Sequence, residues 1–395
     1  MIENILLILL ILLFCAKIVG AFFEKIGLDS SIGELLTGIV LGPSFLNLIE
    51  AKSIEYFAII GSVLILFVVG MKQENVSEIY HDKKAIFLGV LLFIVTGLLM
   101  TAFFYYVPQY FSIHFSLIQS IILGIAFAII DIGVPAKILL SKGLIQLPVG
   151  RILIRSAIID IILGLFTFTI VSTLINIHPQ DILFKFGGII LFTVIAVLIF
   201  YFFSSITKFV MKLHIQEAEF SVALILILAL AYFTEVIGFS SILGAFIAGV
   251  LITRMPFSES KSFSDKIKAI SFGLFVPLFF VWFGLEVNIS EIMKNIVLAG
   301  IIFVIYVLIR FVTTYIYLRK NKLEAPLLVS ASTISVDIES LIVLMIAINL
   351  GFFSDSLPLN LFAPSVLLST VLIVILVAIF SKKELKKLDK SPIKE

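Results

Sequence analysis

Residues 84–106 read KAIFLGVLLFIVTGLLMTAFFYY, with no charge after Lys84. A helix needs about twenty predominantly apolar residues to cross the hydrocarbon layer of a bilayer. Runs of this kind recur along the whole chain of 395 residues, which is 61% hydrophobic and only 14% charged. A soluble domain carries roughly a quarter of its residues as charge, so too few remain here to coat a water-soluble fold. An outer-membrane barrel would show shorter segments of alternating polarity. The expected fold class is an all-α polytopic membrane protein in contact with the lipid bilayer.

Counting outward from 84–106 gives thirteen spans. The first six are 5–23, 31–48, 54–71, 84–106, 116–140 and 148–174. The seventh, 183–211, stands alone. The last six are 220–233, 237–252, 270–285, 296–318, 325–350 and 360–380. Lysine and arginine favour cytoplasmic loops. Alternate connections and the tail hold 21 of them, from Lys25 through Arg254 to Lys394, against Lys52, Lys185 and Lys294 on the other side. The C-terminus is therefore expected in the cytoplasm and the N-terminus outside the cell membrane. The net charge of +2 concerns topology, and no nucleic-acid partner is expected. Cys15 is the only cysteine, which excludes an intrachain disulfide and argues against a cysteine metal site. Met1 to Gly20 lacks a basic start and a small-residue cleavage site, and reads as the first span.

A weak internal repeat follows. Gly33-Glu34-Leu35-Leu36-Thr37-Gly38-Ile39-Val40-Leu41-Gly42 in the second span echoes Leu243-Gly244-Ala245-Phe246-Ile247-Ala248-Gly249-Val250-Leu251 in the ninth. On this count the two segments run in opposite directions. Two inverted repeats place a transport site at the midplane between them. The plainer reading is that small-residue spacings recur in any packed membrane bundle.

Ionisable residues inside spans cost about 2.5–3.5 kcal/mol or more at a helix centre unless compensated. Asp131, Asp160, Arg310, Asp337 and Glu339 all come to a depth of roughly 13–22 Å at 1.5 Å per residue, a midplane layer. Around Asp131 the fifth span contains Gly133 and Pro135. Before Asp337 the twelfth contains Ser330, Ser332, Thr333 and Ser335. Proline removes a backbone donor, and hydroxyl side chains compete with the helix ladder. Paired interruptions in corresponding helices point to a transport site. Four acids against one base suit a cation or a proton. For Asp160 and Arg310 the alternative is an ion pair that only fixes packing. Lys17 and Arg155 lie near span ends and read as snorkelling residues. Nothing matches a phosphate-binding loop, a dinucleotide fingerprint or a metalloprotease helix. Neither an enzyme nor a cofactor or metal is expected.

The stretch Gly33 to Gly42 with Pro43-Ser44, the stretch Ala229 to Thr253, and Phe275-Val276-Pro277-Leu278-Phe279-Phe280-Val281-Trp282-Phe283-Gly284-Leu285 resemble the monovalent cation:proton antiporter superfamily, in the branch of Kef-type and sodium/proton antiporters. The resemblance covers nearly the whole chain. It implies crossed discontinuous helices, exchange of a monovalent cation for protons, and a homodimer. Core spans at 83–175 and 295–381 would move against scaffold spans at 1–75 and 218–287, with a linker span at 183–211 and a cytoplasmic tail at 382–395.

The ion site departs from the family pattern. The sixth span of the family usually carries two adjacent acids or Asn-Asp. Aligned from Gly150-Arg151 to Leu163-Gly164-Leu165, Asp160 takes the first place and Ile161 the second. Arg310 matches the basic residue that some members pair with the first position. The Pro-Arg-Gly-Glu of the family's twelfth span reads Val336-Asp337-Ile338-Glu339. The expected ion- and proton-binding set is Asp160, Asp131, Asp337 and Glu339, with Arg310 as ion-pair partner. The leading reading is a cation/proton antiporter. Also open are a transporter of the same fold with another solute or coupling, and a channel-like or non-transporting homologue.

Overall fold

A computed structural model describes residues 4–25, 30–71, 82–130, 148–175, 217–236, 241–253, 261–323, 325–336 and 338–388. The regular structure among the described residues is helical, with no strand. Helix α1 covers Ile5–Lys25 and α2 Ser30–Leu41. A 3-10 turn at Ala51–Ile54 leads into α3, Glu55–Met71. Then come α4 (Lys83–Tyr106), α5 (Leu117–Ala128), α6 (Pro148–Ile175), α7 (Ala218–Val236) and α8 (Ser241–Ile252). Helix α9 (Lys261–Ile270) continues through a π-turn at Ser271–Phe275 into α10 (Val276–Glu286). The last five are α11 (Ile289–Lys294), α12 (Ile296–Lys320), α13 (Pro326–Ser332), α14 (Ile338–Asn349) and α15 (Leu357–Leu388).

Among the described residues, eight helical stretches are long and apolar enough to cross a membrane, including Ile5–Lys25, Lys83–Phe111 and Ile296–Lys320. Helices α2, α5 and α14 are apolar but shorter. The expected seventh span at 183–211 lies outside the described residues. The tenth begins earlier than its apolar run, at Lys261, because α9 is amphipathic; among its described side chains it buries Phe263 and Ile267. Local chemistry sets several ends. Asp82 caps α4 by accepting from the Ala85 amide. Ser116 and Gln119 form a reciprocal capping box at α5. Arg319 and Lys320 sit at the negative end of α12.

The helices pack as two groups. In the first, α2 lies between α1 and α10, and α8 lies between α7 and α3. Glycines permit both close crossings. A Cβ on Gly38 would overlap the Val281 carbonyl, and one on Gly284 the Leu35 carbonyl. Likewise Gly249 abuts the Phe67 carbonyl and Gly70 the Phe246 carbonyl. Gly33 and Gly244 do the same against the backbones of α1 and α7. Gly33 and Gly38 thus contact neighbours in the same order as Gly244 and Gly249, their counterparts in the sequence echo.

In the second group α4 packs on α5, α6 and α12, while α12 also contacts α13 and α15. Gly89 fits against the Ser156 carbonyl, and Gly164 against Ile129. Lys17 and Arg155 have protein partners. The Lys17 ammonium donates to the Phe272 carbonyl at 2.7 Å and lies 3.7 Å from Glu34. Arg155 pairs with Asp82 at 3.2 Å.

Candidate ion site

Helix α12 presents one buried stripe, Leu298, Ala299, Ile302, Tyr306, Arg310, Thr314 and Tyr317. The spacing of three and four is that of a single helix face. Val304, Leu308, Val312 and Ile316 lie exposed on the other face, as expected of a helix whose back meets lipid. Arg310 therefore enters the protein interior, where it is wholly buried. Asp160 is 1% exposed and comes from the buried face of α6. Arg310 Nη2 donates to Asp160 Oδ2 at 2.7 Å. The remaining oxygen, Asp160 Oδ1, and the Nε and Nη1 of Arg310 have no hydrogen-bond partner among the described residues. The Tyr306 side chain, one turn back on α12, also interacts electrostatically with the guanidinium.

The neighbours of Arg310 one turn away on either side face a broken helix. Helix α13 stops at Ser332 and α14 starts at Ile338, with Thr333–Val336 non-helical between them. The Tyr306 hydroxyl donates to the Ser335 carbonyl at 3.3 Å. The Thr314 hydroxyl shares a hydrogen with that of Thr333 at 2.9 Å and lies 2.8 Å from the Arg310 carbonyl. From the far side, Ser369 Oγ lies 3.4 Å from both the Val336 amide and its carbonyl. The break is thus held by side chains of two helices. Its flanking helix ends bring the negative pole of α13 and the positive pole of α14 together.

A second helix end adjoins the break. Helix α5 ends at Ala128, and Ile129 is extended. The Ser340 hydroxyl, in the first turn of α14, donates to the Ile129 carbonyl at 3.2 Å.

Asp160, Arg310 and Ser335 are therefore gathered around α12. Glu339 lies in the first turn of α14. Asp131, Gly133, Pro135 and Asp337 lie outside the described residues. Ile161 is 1% exposed and part of the apolar core. Sequence reasoning missed Tyr306, Thr314 and Ser369. The first two were signalled by polar side chains four residues either side of Arg310, on the face that an interior arginine must use. Among the described residues no cluster of His, Cys, Asp or Glu is arranged to hold a metal ion.

A model of the sodium/hydrogen exchanger transmembrane family matches residues 9–383. The chain is 27% identical over 291 residues to the probable Na(+)/H(+) antiporter GerT of Bacillus cereus, covering 72% of this chain and 74% of that one. It is 26% identical over 404 residues to the probable Na(+)/H(+) antiporter 3 of Methanocaldococcus jannaschii, covering 98% and 99%. Its fold is similar to the sodium proton antiporter MjNhaP1 of Methanocaldococcus jannaschii, with a TM-score of 0.69 at 16% identity over 96% of this chain and 98% of that one. With a family match running almost end to end, this chain belongs to the transmembrane sodium/hydrogen exchanger family.

Proposed function

We propose that the protein is a secondary transporter that exchanges a monovalent cation, Na+ or K+, for protons by alternating access. The observation that carries this reading is the buried Asp160–Arg310 pair set against a broken helix, in a chain of the exchanger family. The relatives, probable sodium/proton antiporters, support the same chemistry. Burial disfavours a bare carboxylate. An acid in this layer therefore holds either a proton or a cation, and competition between them gives exchange.

Asp160 is already compensated by Arg310. We assign the switching role to Asp131, Asp337 or Glu339, which lie within a few residues in sequence of the Ser340–Ile129 contact. The second helix group is the moving core and the first the scaffold of a homodimer, with the N-terminus outside and the C-terminus in the cytoplasm. The test is a proteoliposome assay with a luminal pH reporter, using Na+, K+ and Li+ in turn. Efflux of the transported cation acidifies the lumen. No pH change with any of the three overturns the reading.

Ile161 favours a second reading. It places a buried apolar side chain where the superfamily resemblance puts an acid, so the same scaffold would carry another solute or use another coupling. Solute flux without proton movement would select it.

A further inference from the structure

The chain passes from the first helix group to the second between Glu286, the end of α10, and Ile296, the start of α12. The short helix α11 lies in this crossing. Two consecutive backbone amides at its start are held by different helix groups. The Asn288 amide donates at 2.7 Å to Oδ1 of Asn360, which belongs to α15 in the second group. The next amide, Ile289, donates at 3.2 Å to Oγ of Ser44, which follows α2 in the first group. Ser44 Oγ in turn donates to the Val287 carbonyl at 2.5 Å. Asn360 is 1% exposed and uses its other end as well, donating from Nδ2 to Glu291 Oε2 at 2.5 Å. Asn288 caps the first turn of α11 by accepting from the Glu291 amide. Asn295, where α12 begins, donates to the Glu291 carbonyl at 3.0 Å.

Adjacent Cα atoms are about 3.8 Å apart across a trans peptide. Two rigid groups gripping neighbouring amides cannot separate here without breaking one grip. Both bonds are partly buried. The two groups also meet where α6 approaches α8, through helices far apart in the chain.

We infer that the Ser44–Val287–Ile289 and Asn288–Asn360–Glu291 contacts form the pivot about which the core turns against the scaffold. The assignment rests on the reading that the two groups move relative to each other. Ser44 and Asn360 are positioning residues that keep the crossing fixed while the far contacts slide.

The test uses cysteine pairs in a Cys15→Ser background. Ser44→Cys with Asn360→Cys is joined by a short reducible bifunctional thiol reagent, and a second pair is placed across the α6–α8 contact. Cation-driven luminal acidification is read with Na+ and with K+, before and after reduction. The pivot predicts that the joined 44–360 pair keeps its rate within about twofold of the reduced protein, while the joined α6–α8 pair loses at least tenfold. Loss of flux in the joined 44–360 pair, restored by reduction, overturns the pivot and leaves core movement standing. Full flux with both pairs joined refutes core movement itself. Hydrogen exchange on the unmodified protein makes the same decision without a variant. Protection of the Asn288 and Ile289 amides should be the same with and without saturating cation, and a change in protection overturns the proposal.

Discussion

The hydroxyl of Ser340 donates to the carbonyl of Ile129 at 3.2 Å, so the start of α14 rests on the end of α5. These residues are far apart in sequence, and each lies beside a predicted interruption of its span. Asp131 follows Ile129 by two residues, and Glu339 immediately precedes Ser340. The contact gives a physical reason to test acids on both sides of it as one unit.

Asp131→Asn, Asp337→Asn and Glu339→Gln should be compared singly for cation-driven proton flux. At least one should lose more than tenfold, because only an acid without a fixed positive partner exchanges a proton for a cation readily. Full activity in all three, with loss only in Asp160→Asn, returns the role to Asp160.

Removing Arg310 leaves Asp160 as a buried charge without its 2.7 Å partner. Arg310→Met should therefore destabilise the protein by about 3–5 kcal/mol, whereas the double change Asp160→Asn with Arg310→Met should recover most of that loss. Thermal unfolding in detergent measures both. An equal loss in the single and double variants would show that packing around the arginine, rather than charge, is at stake.

The crossing of α2 and α10 has no room for a methyl group at Gly38 or Gly284. Either glycine replaced by alanine should cost about 1–3 kcal/mol through overpacking. Gly273→Ala is the control, since a Cβ there meets nothing within 4 Å. Melting temperatures unchanged in all three variants would contradict the close approach.

Reporter fusions at the two termini should place the lysine-rich C-terminus in the cytoplasm and the N-terminus outside. Both termini on one side would refute an odd number of spans.

Much of the fold was legible because lipid imposes a length on apolar runs, and α4 and α12 are uninterrupted. Shorter elements were harder to read. Helix α9 hid its start in a polar amphipathic turn, and the π-turn that follows leaves no compositional trace. At the site, depth grouped Asp160 and Arg310 with three further acids, and the family resemblance singled out the two as a pair. Depth does not give azimuth, however, so Tyr306 and Thr314 were passed over although they share the face of Arg310. From sequence, Lys17 and Arg155 look like side chains reaching for water, because their protein partners, the Phe272 carbonyl and Asp82, lie on segments that no local pattern brings near.

The π-turn at Ser271–Phe275 amounts to one residue inserted into an α-helix. One residue is about 100° of helical phase. Phe263 and Ile267, buried below the turn, and the contact of Val281 and Gly284 with Gly38 above it are therefore in phase with their surroundings only because of that surplus residue. Deleting Gly273 would restore a regular helix and wind the two ends out of step. Either Phe263 and Ile267 would rotate out of their packing, or α10 would lose its register against Gly38. It would also withdraw the Phe272 carbonyl from Lys17. A one-residue deletion in this helix thus acts as a screw turn applied to everything on one side of it.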